Sequence, residues 1–179
     1  MYKNTDSSHI YIQSRFWKHW LISLGLTTFL AFIMTKIPSV AVGNLLEIEF
    51  ASDAEALRSL MLLVNNLETN TYVDFLFMIA YTGLFYFSGR VVYDLLQFSS
   101  RKLLFILFFP IIFDLIENLL LLQMLDKSPA DYLSFTTFYY AVRLKWLFAI
   151  PGVIVFLVVL IYHIYALLDR IYEAKEKSA

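Results

Sequence analysis

Four stretches of the chain stay apolar for about the 20 residues that a helix needs to cross a bilayer: 17–37, 72–92, 102–125 and 146–168. Between the first two, the run LEIEF from Leu46 to Phe50 alternates apolar and acidic positions, which is the period of a half-buried extended segment. Ser52 and Glu55 then stand at capping-box spacing. Leu57, Leu60, Met61, Val64 and Leu67 follow at helical spacing, so a short amphipathic helix is predicted over 53–67. It would lie at the outer interface or over the mouth of the spans. The expected fold is all-α: a polytopic membrane protein with four transmembrane helices in a bundle plus the outer-loop helix, forming one domain over 1–179.

The third span contains IIFDLIENLLLL, residues 111–122, where two carboxylates and an amide interrupt an apolar run. At 100° per residue, Asp114, Glu117 and Asn118 share one arc of a helix, with Pro110 a turn earlier on the same side. In the second span Asp74, Tyr81 and Ser88 recur every seven residues, joined by Met78 and Phe85. Lipid offers such groups no partners, so both stripes should face protein or a water-filled cavity. Lys145 and Arg143 begin the fourth span and point in nearly opposite directions; either could supply a counter-charge. Two carboxylates one turn apart in low dielectric do not both stay ionised unless a cation or a basic side chain neutralises them. Milder polar positions (Ser23, Thr27, Thr82, Ser88) read as hydrogen bonds between helices. His19 and His163 sit near span ends, and Glu47 and Glu49 are expected to face solvent.

Composition agrees with the membrane class. The chain is 60% hydrophobic and 16% charged, whereas a soluble domain carries about 25% charged residues. A net charge of −1 gives no basic excess for nucleic acid. The absence of Cys excludes disulfides, thiolate metal sites and cysteine nucleophiles. Trp17, Trp20, Tyr72, Trp146, Tyr162 and Tyr165 fall near span ends, where amphipathic rings prefer the interface. Ser39-Val40-Ala41 has the small side chains of a signal-peptide cleavage site, but Lys36 separates it from the apolar run, and the first span reads as a retained anchor. Lys3, Arg15, Lys18, Arg90, Arg101, Lys102, Arg170, Lys175 and Lys177 would share one side, against Lys36, Arg58, Lys127, Arg143 and Lys145 on the other. That bias predicts cytoplasmic N- and C-termini in a cell membrane.

The succession of Leu46-Glu47-Ile48-Glu49-Phe50-Ala51, Asp74-Phe75 with Tyr81, Asp114-Leu115-Ile116-Glu117-Asn118 and then Lys145 resembles a group of small bacterial four-span integral membrane proteins of the inner membrane. The resemblance implies a fold and a site, not an activity. The plan of four spans with internal acids is also similar in architecture to the sterol-isomerase and sigma-2-receptor-like family, with no motif carried over.

These readings converge on an acidic, outward-facing intramembrane site for a small cationic or amphipathic ligand, a lipid or a proton. Asp114 and Glu117 would form its centre, Asn118, Tyr81 and Asp74 would orient, and Lys145 or Arg143 would balance the charge. The alternative is an accessory or assembly subunit whose charges pair with a membrane-protein partner or a second copy; a lipid-modifying enzyme is a third. No residue pattern names a reaction, and no phosphate loop, HExxH or nucleophile elbow is present. No cofactor or metal is expected: Asp74, Asp114, Glu117 and Asn118 offer oxygen donors, but their spacing defines no metal motif.

Overall fold

The computed structural model of the protein describes residues 16–36, 42–96, 102–126 and 132–176. The regular structure among them is entirely helical, in the order α1 (Trp17–Lys36), α2 (Val42–Glu49), α3 (Ala54–Leu63), α4 (Leu67–Leu96), α5 (Lys102–Ile106), α6 (Phe109–Asp126) and α7 (Tyr132–Glu176). Four helical stretches are long and apolar enough to cross a membrane: Trp17–Lys36, Leu67–Leu95, Leu104–Leu125 and Leu133–Glu176. Lys3, Arg15, the Ser39–Ala41 stretch, Arg101, Lys127, Lys177 and the side chains of Lys102 and Arg170 lie outside the described residues.

Helix boundaries follow local chemistry. The third span is two helices, because Pro110 has no N–H to give and its ring would clash with the carbonyl of Ile106. Residues 107–108 form the turn, closed by the Phe108 N–H on the Phe105 carbonyl at 3.1 Å. In α7 the helix runs through Pro151, which leaves the carbonyl of Leu147 without its usual donor. Its neighbour Gly152 lets α4 come close: a Cβ there would lie 2.5 Å from Cδ2 of the Phe85 ring. The fourth span also starts well before residue 146, since Phe138 and Val142 supply a buried face to a helix too polar to read as a span.

The LEIEF stretch is not extended. Its residues up to Glu49 belong to α2, where Leu45 and Ile48 stand three apart and pack inward together. In so short a window, alternation and helical spacing describe the same letters, and burial of Ile48 decides between them. The cap is likewise displaced by one residue. Asp53, not Ser52, is the N-cap of α3: its Oδ1 accepts the Ala56 N–H at 2.8 Å, while the Ser52 hydroxyl donates to Oδ2. Asn66 makes the turn into α4 with φ 61°, a left-handed conformation that Asn adopts more readily than most residues.

Helix α4 is central, packing against α1, α6 and α7, and α6 packs against α7. Two apolar clusters mark the ends. One joins Ile48, Leu57, Met61 and Leu67 to Leu121, Met124, Phe138 and Val142, seating α2 and α3 on the ends of α4, α6 and α7. The other gathers Trp20, Leu84, Val91, Val92 and Val159. Outward-turned side chains such as Ile22, Phe29, Leu147, Ile154 and Ile161 are apolar, as a lipid-facing surface requires.

Candidate functional site

Between those clusters lies a group of charges. The heptad stripe of α4 and the DLIEN arc of α6 face each other, and α7 brings Lys145 to them. Lys145 Nζ is 2.7 Å from Glu117 Oε2, 3.3 Å from Asp114 Oδ1 and 2.9 Å from Glu49 Oε1. The Tyr81 hydroxyl donates to Asp114 Oδ2 at 2.7 Å. Asn118 Nδ2 donates to Asp74 Oδ2 at 2.6 Å and touches Met78 Sδ at 3.2 Å. Trp146 Nε1 donates to the second oxygen of Glu49 at 2.8 Å. Asp114, Glu117 and Asn118 are each only 4% exposed, so water screens these interactions weakly.

Six of the seven predicted side chains therefore meet: Asp74, Tyr81, Asp114, Glu117, Asn118 and Lys145. Arg143 does not. Its guanidinium lies 3.2 Å from the centroid of the Tyr139 ring and donates to the Tyr139 carbonyl at 3.3 Å. Two residues apart on a helix means about 200° of rotation, so only one of the pair can face the acids. Glu49 corrects a second expectation: it turns inward to Lys145, while Glu47 stays exposed. The helical spacing of Leu45 and Ile48 was the signal that could have placed it. Thr82 departs from the expected hydrogen bonding between helices, since its buried hydroxyl finds no partner among the described residues.

Four carboxylates and one ammonium leave a formal charge of −3 if all are ionised. Glu117 Oε2 and Asp114 Oδ1 lie close to Lys145 yet make no well-angled hydrogen bond, as one ammonium is shared among three acids. Away from water such an excess is costly, and protons or a cation would lower that cost. Among the described residues no group of three His, Cys, Asp or Glu has the geometry of a metal site.

Two cavities adjoin the cluster. The larger, ≈ 360 Å³, has Glu49, Asp74, Asp114 and Lys145 at its polar end. Its walls are Phe77, Leu84 and Phe85 of α4, Ala149, Val153 and Phe156 of α7, and Thr27 of α1. The smaller, ≈ 60 Å³, lies on the α2 side and is lined by Glu49, Asn70, Thr71, Asp74, Glu117 and Asn118 among others. Glu49 and Asp74 line both. The chain matches no known protein family, no curated protein and no solved structure.

Proposed function

We propose that this is a multi-pass membrane protein whose four spans form a bundle, and that the bundle holds an acidic binding site for a small cationic amphiphile. The observation that carries the reading is the excess of carboxylates at the polar end of an otherwise aromatic and aliphatic cleft. An ammonium group would take the place of the missing positive charge, and a hydrocarbon chain would lie along Phe77, Phe85, Val153 and Phe156. Asp74 and Asp114 are the primary partners of the cation, Tyr81 and Asn118 fix their carboxylates, and Lys145 sets how much charge remains to be neutralised. The orientation with both termini cytoplasmic gains support from the same geometry. Lys145 is engaged by the acids and Arg143 is stacked on Tyr139, so the basic residues that oppose this orientation are fewer than their number suggests.

The test is binding of dodecyltrimethylammonium to the full chain in lipid nanodiscs, compared with dodecanol of the same chain length. The cation is expected to bind and raise the unfolding temperature. Asp74→Asn and Asp114→Asn should each weaken binding at least about tenfold, the loss of roughly 1.4 kcal/mol, with normal yield. Equal binding of cation and alcohol, or wild-type binding by both variants, overturns the reading. Loss of yield together with a co-purifying membrane protein would favour the assembly role instead.

A further inference from the structure

The smaller cavity has a different character from the cleft. Its lining includes Glu49, Asn70, Thr71, Asp74, Glu117 and Asn118, whereas the cleft beside it is walled mainly by hydrocarbon. Asn70 is 3% exposed and its side-chain oxygen has no hydrogen-bond partner among the described residues. A buried amide oxygen in that state is unfavourable unless water supplies the donor. Thr71 gives its hydroxyl proton to the Leu67 carbonyl at 2.9 Å, which leaves its lone pairs for a further donor. At ≈ 60 Å³ the chamber has room for about two to four waters, each needing two to four polar partners. The lining provides them.

We infer that this chamber is a water-binding site that connects the carboxylate cluster to the end of the molecule capped by α2 and α3. Leu67, Asn70 and Thr71 belong to the first turns of α4, so the chamber begins near that helix end; Glu117 and Asp74 mark its deeper limit. The titratable groups of the chamber and of the cluster that it adjoins are Glu49 on α2, Asp74 and Tyr81 on α4, Asp114 and Glu117 on α6, and Lys145 on α7; Glu55 and Arg58 of α3 and His19 and Lys36 of α1 line neither cavity, and the α1 residues that do, Met34 and Thr27, do not titrate. Waters in the chamber exchange protons with Glu49, Asp74 and Glu117, which line it, while Lys145 stays an ammonium shared by the acids. The acids thus reach water from the α2–α3 end through a polar chamber as well as bordering the apolar cleft. This holds whether or not the cleft takes an amphiphile.

Hydrogen–deuterium exchange of protonated carboxyl groups, followed by infrared spectroscopy on the full chain in nanodiscs with no amphiphile present, tests the inference. Asn70→Leu and Thr71→Val, which replace polar lining with hydrocarbon, should slow carboxyl exchange at least about tenfold. Val153→Phe, which fills the cleft, should leave it unchanged. Wild-type exchange in both chamber variants, or equal slowing by Val153→Phe, overturns the inference. A second measurement on the unmodified protein guards against a variant that does not fold. Leu121 lines the chamber and Leu84 the cleft, at 6% and 4% exposure. Radiolysis of bound water should oxidise Leu121 and spare Leu84; equal labelling counts against a hydrated chamber. Amphiphile titration reads the cleft alone, so either idea can fail without the other.

Discussion

The Trp20–Ser88 pair and the Lys145 cluster both bury polar atoms where α4 meets its neighbours, but they complete their hydrogen bonding differently. The indole N–H of Trp20 donates to the Ser88 hydroxyl at 2.8 Å, and that hydroxyl donates to the Leu84 carbonyl at 2.7 Å. Nothing is charged, and both residues are fully buried. At the other site one ammonium serves three carboxylates and a fourth is held by an amide. A closed pair fixes helix against helix and has nothing left to offer. A set short of positive charge must draw on protons, water or a ligand, and that is why the second region and not the first is the place to look for function.

The comparison breaks most visibly at Lys145. Lys145→Met strands Glu49, Asp114 and Glu117 without their shared counter-charge, and stability should fall by about 3–5 kcal/mol. Unfolding in a denaturing detergent measures this, and adding Glu117→Gln should recover part of the loss. Wild-type stability of Lys145→Met would mean that the acids are already neutral and the cluster is as closed as the Trp20 pair. The matching experiment there is Ser88→Ala, which leaves a buried indole N–H without an acceptor and should cost about 1–3 kcal/mol. In the Trp20→Phe/Ser88→Ala double variant the losses should be less than additive, as expected for two partners in one bond.

The smallest effect belongs to an acid that is fully solvated. The Ala56 N–H, and after it the Ser52 hydroxyl, hold the Asp53 carboxyl below the ordinary aspartate range. A folded-state value below the unfolded one means that the cap is intact above about pH 4 and is lost as pH falls through the folded value. Protection of the Ala56 and Leu57 amides, taken relative to the intrinsic exchange rate at each pH, should therefore fall as pH drops from about 5 to about 2 in the wild type, and show no such step in Asp53→Ala. Unlike the buried acids, this one should respond without any change in the spans.

Much of this was legible because helical period is long-ranged in a span. Asp74, Tyr81 and Ser88 recur every seven residues, and the structure turns them to one side, where Tyr81 meets Asp114 and Ser88 meets Trp20. The same arithmetic placed Asp114, Glu117 and Asn118 together. What escaped it depends on short windows or on distant partners. The choice between Lys145 and Arg143 is a choice of helix rotation, set by where Phe138 and Val142 are buried rather than by either basic residue. The spacing of Leu45 and Ile48 could have turned Glu49 inward, but nothing local names its partner, 96 residues away. The cap moved from Ser52 to Asp53 because both residues qualify by type and only the backbone decides.

That separation in sequence has a consequence for how the protein is made. Glu49, Asp114 and Glu117 are all synthesised before Lys145, and Glu49 precedes it by 96 residues. At about 5–20 residues per second, an emerging chain carries Glu49 for roughly 5–20 s before its partner exists. During that interval Glu49, Asp114 and Glu117 are without the counter-charge that they share in the folded protein. Only the final helix, bringing Lys145 and Trp146 together, completes the partners of Glu49, and a chain truncated before it should be cleared faster than the full one.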